Sequence, residues 1–235
     1  MRTNMISHPN SMKEEEFIKK VLSGERDFSE IKLVGLDLSG HEDYREIQRY
    51  LREQDLENSP IIFDGSDLGH LKALGLYLPY VKGHKVDLRC SQLSGANFYG
   101  ANFERAFISF SDLSNVNLIQ ANLKYSRLSK TCLIKTNFQR ADLSVASMRG
   151  ACLMGAHLGE ANMMKANLTE ADIRDVEMLR TAKNIEHMIF GKTKVLLREK
   201  EIIEEALSQY NFRVQYTASE IDDLLYERFN KIFKE

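Results

Sequence analysis

From Leu88 to Met178 an apolar residue returns at every fifth position without interruption, and that period excludes the two common ways of building a core. An amphipathic helix needs apolar spacings of three and four, and a half-buried strand needs strict alternation, so a constant five fits neither. The large series runs Leu88, Leu93, Phe98, Phe103, Ile108, Leu113, Leu118 and so on to Leu168, Ile173 and Met178. A second series of smaller residues lies two positions earlier, from Ser91, Ala96 and Ala101 to Ala161, Ala166 and Ala171. Positions two apart share one side of extended backbone, so both members of each pair can point the same way. A short fixed period of this kind belongs to a solenoid, in which each unit buries its apolar residues only by stacking on its neighbours.

Repeats such as Ala96-Asn97-Phe98-Tyr99-Gly100, Ala121-Asn122-Leu123-Lys124-Tyr125 and Ala166-Asn167-Leu168-Thr169-Glu170 resemble those of the pentapeptide-repeat family. The resemblance covers at least residues 86–180. It implies an all-β solenoid, a right-handed quadrilateral β-helix with four repeats to a coil and both the large and the small residue inward. Residues twenty apart then stand above one another. Asn97, Asn117 and Asn137 form one column and Asn102, Asn122, Asp142 and Asn162 another, which read as hydrogen-bonded ladders rather than as a polar active site.

The same register extends backwards. Phe28, Leu33, Leu38, Phe63, Leu68, Ala73 and Leu78 are in phase with the main array and read as early coils with larger inner residues. Three domains follow. Residues 1–24 form an N-terminal helical cap, with a helix from Ser11 to Leu22 stopped by Gly24. Residues 25–180 form the repeat β-helix, interrupted at 41–58 by a helical insertion whose in-phase positions Asp43, Gln48, Glu53 and Asn58 are polar. Residues 181–235 carry C-terminal α-helices: a short one at 182–190 burying Ile185, Met188 and Ile189, then two at about 193–209 and 218–233. The last has more apolar surface than a rod end needs, so Ile221, Leu224, Leu225, Phe229 and Ile232 are read as a homodimer interface.

Other classes find little support. No apolar run reaches membrane-spanning length and the first residues lack the apolar core of a secretory signal, so a cytoplasmic location is expected. Cys90, Cys132 and Cys152 occupy different repeat positions, and the six histidines show no ligand spacing, which argues against a metal or any cofactor. No phosphate loop, nucleophile elbow or acid/base cluster is present, so no catalytic residue is assigned.

Function must therefore lie on outward positions, and the expectation is a non-catalytic protein-interaction scaffold. The resemblance supplies an alternative, since family members mimic B-form DNA through an acidic surface and bind DNA gyrase or topoisomerase IV, giving fluoroquinolone resistance. Here residues 86–178 carry nine acidic and ten basic side chains, which weakens that alternative because mimicry needs a strongly negative field. The middle is positive, with Lys124, Arg127, Lys130, Lys135, Arg140 and Arg149 against Asp142. Arg127, Lys130 and Arg149 share a face, whereas Lys135, Arg140 and Lys124 point to three others. That belt argues against direct nucleic-acid binding. Outward apolar residues pair by column or proximity as Tyr99 with Ile119, Ile134 with Met154, and Phe107 with Phe110. Together with Arg127 and Lys130 they form the candidate partner surface.

Overall fold

The computed structural model describes residues 12–209 of the chain, so the expected helix at 218–233 and its five interface residues lie outside the described part. Within it, one repeat explains the rest. In Ser91–Gly95 the side chains of Ser91 and Leu93 are buried, while Gln92 between them pairs with Asp112 in a parallel bridge. Gln92 N donates to Leu71 O of the coil before (2.8 Å), and Leu93 N and Gly95 N donate to Asp112 O and Ser114 O of the coil after (both 2.9 Å). Ala96 N then closes the corner on Leu93 O (3.0 Å). The residue before it, Gly95, has φ +73°, the positive value that the third residue of a type II turn requires.

Repetition of this unit turns the chain through four sides. From Ile62 to Asn137 each bridge joins residues twenty apart, as in Asn97 with Asn117 and Asn117 with Asn137. Every corner residue from Gly65 to Asp175 in the fifth-residue series has positive φ, glycine or not. Two of every five residues are spent in a turn, which leaves one bridging residue per side. The described residues accordingly contain isolated parallel bridges and no continuous strand, a correction to a solenoid imagined as strand-built.

The interior is filled as the period demands. Both inward series are buried throughout, the large one from Leu88 to Ile173 and the small one from Ser91 to Ala171, and Leu118, Leu123, Leu128 and Leu133 have no exposure at all. Met178 departs from the series at 52% exposed, and Leu179 is buried instead. The cause is a widening of the last coil. Asn162 bridges to Lys183, 21 residues on, and Asn167 and Asp172 bridge to Ile189 and Lys194, each 22 on.

Hydroxyls in the small series have a second task. Ser111 Oγ accepts from Ser91 N (3.1 Å) and donates to Leu88 O (2.7 Å), so a side chain from one coil inserts into the corner of the coil below. Ser91 does the same between Leu71 N and Leu68 O, and Thr131 Oγ1 donates to Ile108 O (3.0 Å). No buried side-chain nitrogen or oxygen among the described residues lacks a hydrogen-bond partner, which is how a core can tolerate these groups. The amide ladders form in part: Asn117 Nδ2 donates to Asn97 Oδ1 (3.2 Å), Asn122 to Asn102 (3.1 Å) and Asn162 to Asp142 (3.2 Å), whereas Asn137 stands above Asn117, and Asp142 above Asn122, as backbone bridge neighbours only.

The first coil is longer. Asp27, Lys32 and Asp37 bridge to Ile62, Asp67 and Lys72, 35 residues on, because an insertion lengthens the first coil. Where Leu71, Leu76, Val81 and Val86 replace the small inner residue, two large positions shrink to Ala73 and Gly83. A Cβ on Gly83 would lie 2.9 Å from the Phe103 ring one coil above, which already fills that space.

Helix α1 (Glu14–Leu22) buries Phe17, Ile18 and Val21, with the Phe17 ring 5.0 Å from Phe28 and 6.0 Å from Phe63. It ends in a Schellman motif: Gly24 N bonds Val21 O and Glu25 N bonds Lys20 O, with Gly24 at φ +95°. Helix α2 (Tyr44–Glu53) is the insertion and buries Ile47 and Leu51. Its Gln48 completes the sheet edge, since Nε2 donates to Gly75 O (3.2 Å) while Oε1 accepts from Tyr77 N (2.8 Å).

At the far end no helix spans 182–190. Two 3₁₀ turns, Leu179–Thr181 and Ile185–His187, alternate with the bridges at Lys183 and Ile189. Ile185 and Met188 are buried as expected, but Ile189 is a bridging residue and 42% exposed. The ladder runs on to Lys194, beyond the expected limit at 180, and helix α3 (Leu197–Gln209) follows with Ile202 and Ile203 buried.

Candidate functional site

With the interior closed to a ligand, chemistry is confined to the outside. An apolar void between the early coils has a volume of about 50 Å³ and is lined by side chains such as Phe17, Leu36, Leu71, Phe98 and Phe103. A void of that size and lining excludes a metabolite. Among the described residues no group of three His, Cys, Asp or Glu is placed to hold a metal, and no helix is long and apolar enough to cross a membrane. Cys132 and Cys152 are bridge neighbours and both thiols are free. Burial pushes the Cys132 thiol up, which keeps it protonated and a poor nucleophile.

The outward positions are not equivalent. The side whose bridging residues are Phe107, Arg127, Ser147 and Asn167, taken with the two turns that flank it, carries Arg105, Lys124, Arg127, Lys130, Arg149 and Lys165 between positions 105 and 165. It carries no carboxylate in that span. The rest of the surface over the same span carries Lys135 and Arg140 against Asp112, Asp142 and Glu160. The expected belt is therefore a stripe. Lys124 stands in the turn that leads directly into Arg127, which places it beside the other cations.

Aromatic rings are interleaved with these charges. Arg127 Cζ lies 5.0 Å from the Phe107 centroid, Lys130 Nζ 5.5 Å from Phe110, and Arg105 Cζ 5.2 Å from Tyr125. All three pairs join the same two coils, because each partner is twenty residues from the other. Phe110 is 59% exposed, Tyr125 46% and Val145 40%. They are the exposed large apolar residues of the array between Leu88 and Asp175, and all three stand at the turns flanking this side.

The structure thus brings together four of the eight expected partner-surface residues: Phe107, Phe110, Arg127 and Lys130. Tyr99 and Ile119 are half-buried at a different corner, where Tyr99 Oη donates to Gln120 Oε1 (2.8 Å). Ile134 and Met154 are half-buried at a third. Sequence reasoning missed Arg105, Tyr125 and Val145, which share a column and were legible from the twenty-residue count. A second candidate, an open cleft beside α2, is lined by Arg45, Arg49 and Arg52 with Leu74 but also contains Glu53.

A four-sided parallel coil with one inward pair per side defines a β-helix solenoid. Residues 84–178 match the pentapeptide-repeat family model in eight copies, across 84–109, 104–140, 121–159 and 141–178, and this stretch is a pentapeptide-repeat array. Among solved structures, full-length QnrB1, a plasmid-mediated fluoroquinolone resistance protein, is similar at 20% identity over 77% of this chain and 82% of its own, with a TM-score of 0.40. HetL of the cyanobacterium Nostoc sp. strain PCC 7120, involved in heterocyst differentiation regulation, is similar at 17% identity over 78% and 94%, with a TM-score of 0.25. No curated protein matches the chain.

Proposed function

We propose that this chain is a non-catalytic scaffold that binds a protein partner along the side of the rod centred on Phe107 and Arg127. The observation that carries this reading is the gathering of the array's exposed large apolar residues at the edges of one side, over a filled interior. Contiguous apolar exposure rimmed by charge marks interaction surfaces, whereas single scattered residues do not. Mimicry of DNA directed at gyrase is the weaker reading. It needs a negative stripe, and the strongest stripe of charge between 105 and 165 is positive.

The test is site-specific photocrosslinking in cells, with a photoreactive residue at Phe110, Ile119, Ile134 or Lys82 to sample different parts of the rod. A discrete adduct from position 110 and none from the others is the expected outcome. Absence of adducts at all four positions discards the scaffold reading, and inhibition of gyrase supercoiling by the purified protein would replace it with mimicry.

A further inference from the structure

We infer that the partner docks through an acidic segment carrying apolar side chains, taken up by the cation–aromatic stripe between positions 105 and 165. This rests on the scaffold reading and specifies the chemistry that it leaves open.

The charges point to an anion. Among the described residues no carboxylate pairs with Lys124, Arg127, Lys130 or Lys165, while Arg105 and Arg149 have Glu104 (3.5 Å) and Glu170 (3.1 Å) beside them at the margins. Lower on the same side Asp87 is hydrogen-bonded to Arg89 and neutralises it, while the exposed Lys85 continues the column of Arg105. Four of the stripe's six cations, Lys124, Arg127, Lys130 and Lys165, are thus uncompensated.

The rings fix those cations in place. Arg127 rests over Phe107 and Lys130 over Phe110, so each head group is propped against a ring of the coil below. A propped cation loses little rotamer freedom when it meets an anion, which favours binding without any new contact.

The same stacking distinguishes a peptide from a nucleic acid. Single-stranded nucleic acids bind by laying bases on aromatic faces. Here the three rings already have cations against their faces at 5.0 to 5.5 Å. Each ring thus has one face taken, and the exposed Val145 beside them is aliphatic and offers nothing to stack on, which suits apolar side chains. The chain's net charge of −2 also lacks the basic excess of a general nucleic-acid binder.

The experiment uses the full chain and fluorescence anisotropy with four labelled probes: a twelve-residue peptide alternating Asp or Glu with Leu and Phe, its Lys counterpart, a Glu-only peptide and a twelve-nucleotide oligo-dT. The acidic apolar peptide is expected to bind tightest, the Glu-only peptide at least fivefold more weakly, and the Lys peptide not at all. Arg127→Glu combined with Lys130→Glu should weaken the first by tenfold or more. Phe110→Ala should weaken it several-fold, with circular dichroism confirming that each variant is folded. Tighter binding of oligo-dT, equal binding of both acidic peptides, or indifference to the charge reversal overturns the inference. If the probes fail while position 110 still crosslinks a protein, the partner chemistry is wrong and the scaffold stands; if both fail, the scaffold falls with it.

Discussion

Val145 holds a φ of +59° at a corner of the coil while remaining 40% exposed, so a β-branched side chain occupies left-handed backbone with little burial in return. That conformation costs an L-residue about 1–2 kcal/mol and is tolerated better by asparagine. Val145→Asn should therefore raise stability by about 1 kcal/mol in urea unfolding, and a neutral or negative change would show that the valine's contacts outweigh its strain. Residue-scale features divided sharply in how far they could be read. The inward pair announces itself because burial selects for apolar character every five positions. The corner conformation does not, since its occupants include Tyr125, Lys130, Arg140 and Val145, and nothing in their chemistry signals positive φ. Ser111 read as a small core filler, yet its hydroxyl links Ser91 N to Leu88 O, a role visible only once the coils are stacked.

Among the elements, α2 was legible and its attachment was not. Polar residues at four successive in-phase positions mark the interruption, and Ile47 and Leu51 mark the face that packs. Gln48 is one of those polar positions, and it supplies both halves of a missing bridge to Gly75 and Tyr77. Side-chain hydrogen bonds contribute about 0.5–1.5 kcal/mol each, and a stranded amide adds to the loss. Gln48→Ala is expected to cost about 1–3 kcal/mol and to speed deuterium exchange at the Tyr77 amide, and unchanged exchange there would rule out the latch. The segment at 182–190 reads as a helix from its spacing of Ile185, Met188 and Ile189. In the fold each 3₁₀ turn takes up one extra residue at a corner, and Ile189 stays outward in the ladder.

At the scale of the whole molecule the coils are coupled mainly to their neighbours, as in other solenoids. Leu128 has no exposure, and Leu128→Ala should cost about 2–5 kcal/mol, as for buried leucines generally. Its effect on amide exchange should be strongest at Ile108 and Met148, directly below and above, and weak at Phe28. Lys130→Ala should leave stability nearly unchanged, and equal losses at both positions would contradict the inward register. The four-sided architecture was readable from period alone, whereas the cation stripe required placing turn residues between sides, which is why Lys124 looked isolated in sequence. The helix over the final coil has a further consequence for behaviour at high concentration. An exposed sheet edge offers unpaired donors and acceptors to a second chain, and a helix laid over it removes that template. Over the final coil helix α3 packs against both 3₁₀ turns and buries Ile202 and Ile203, so where it lies another copy's repeats meet a helix in place of an open ladder.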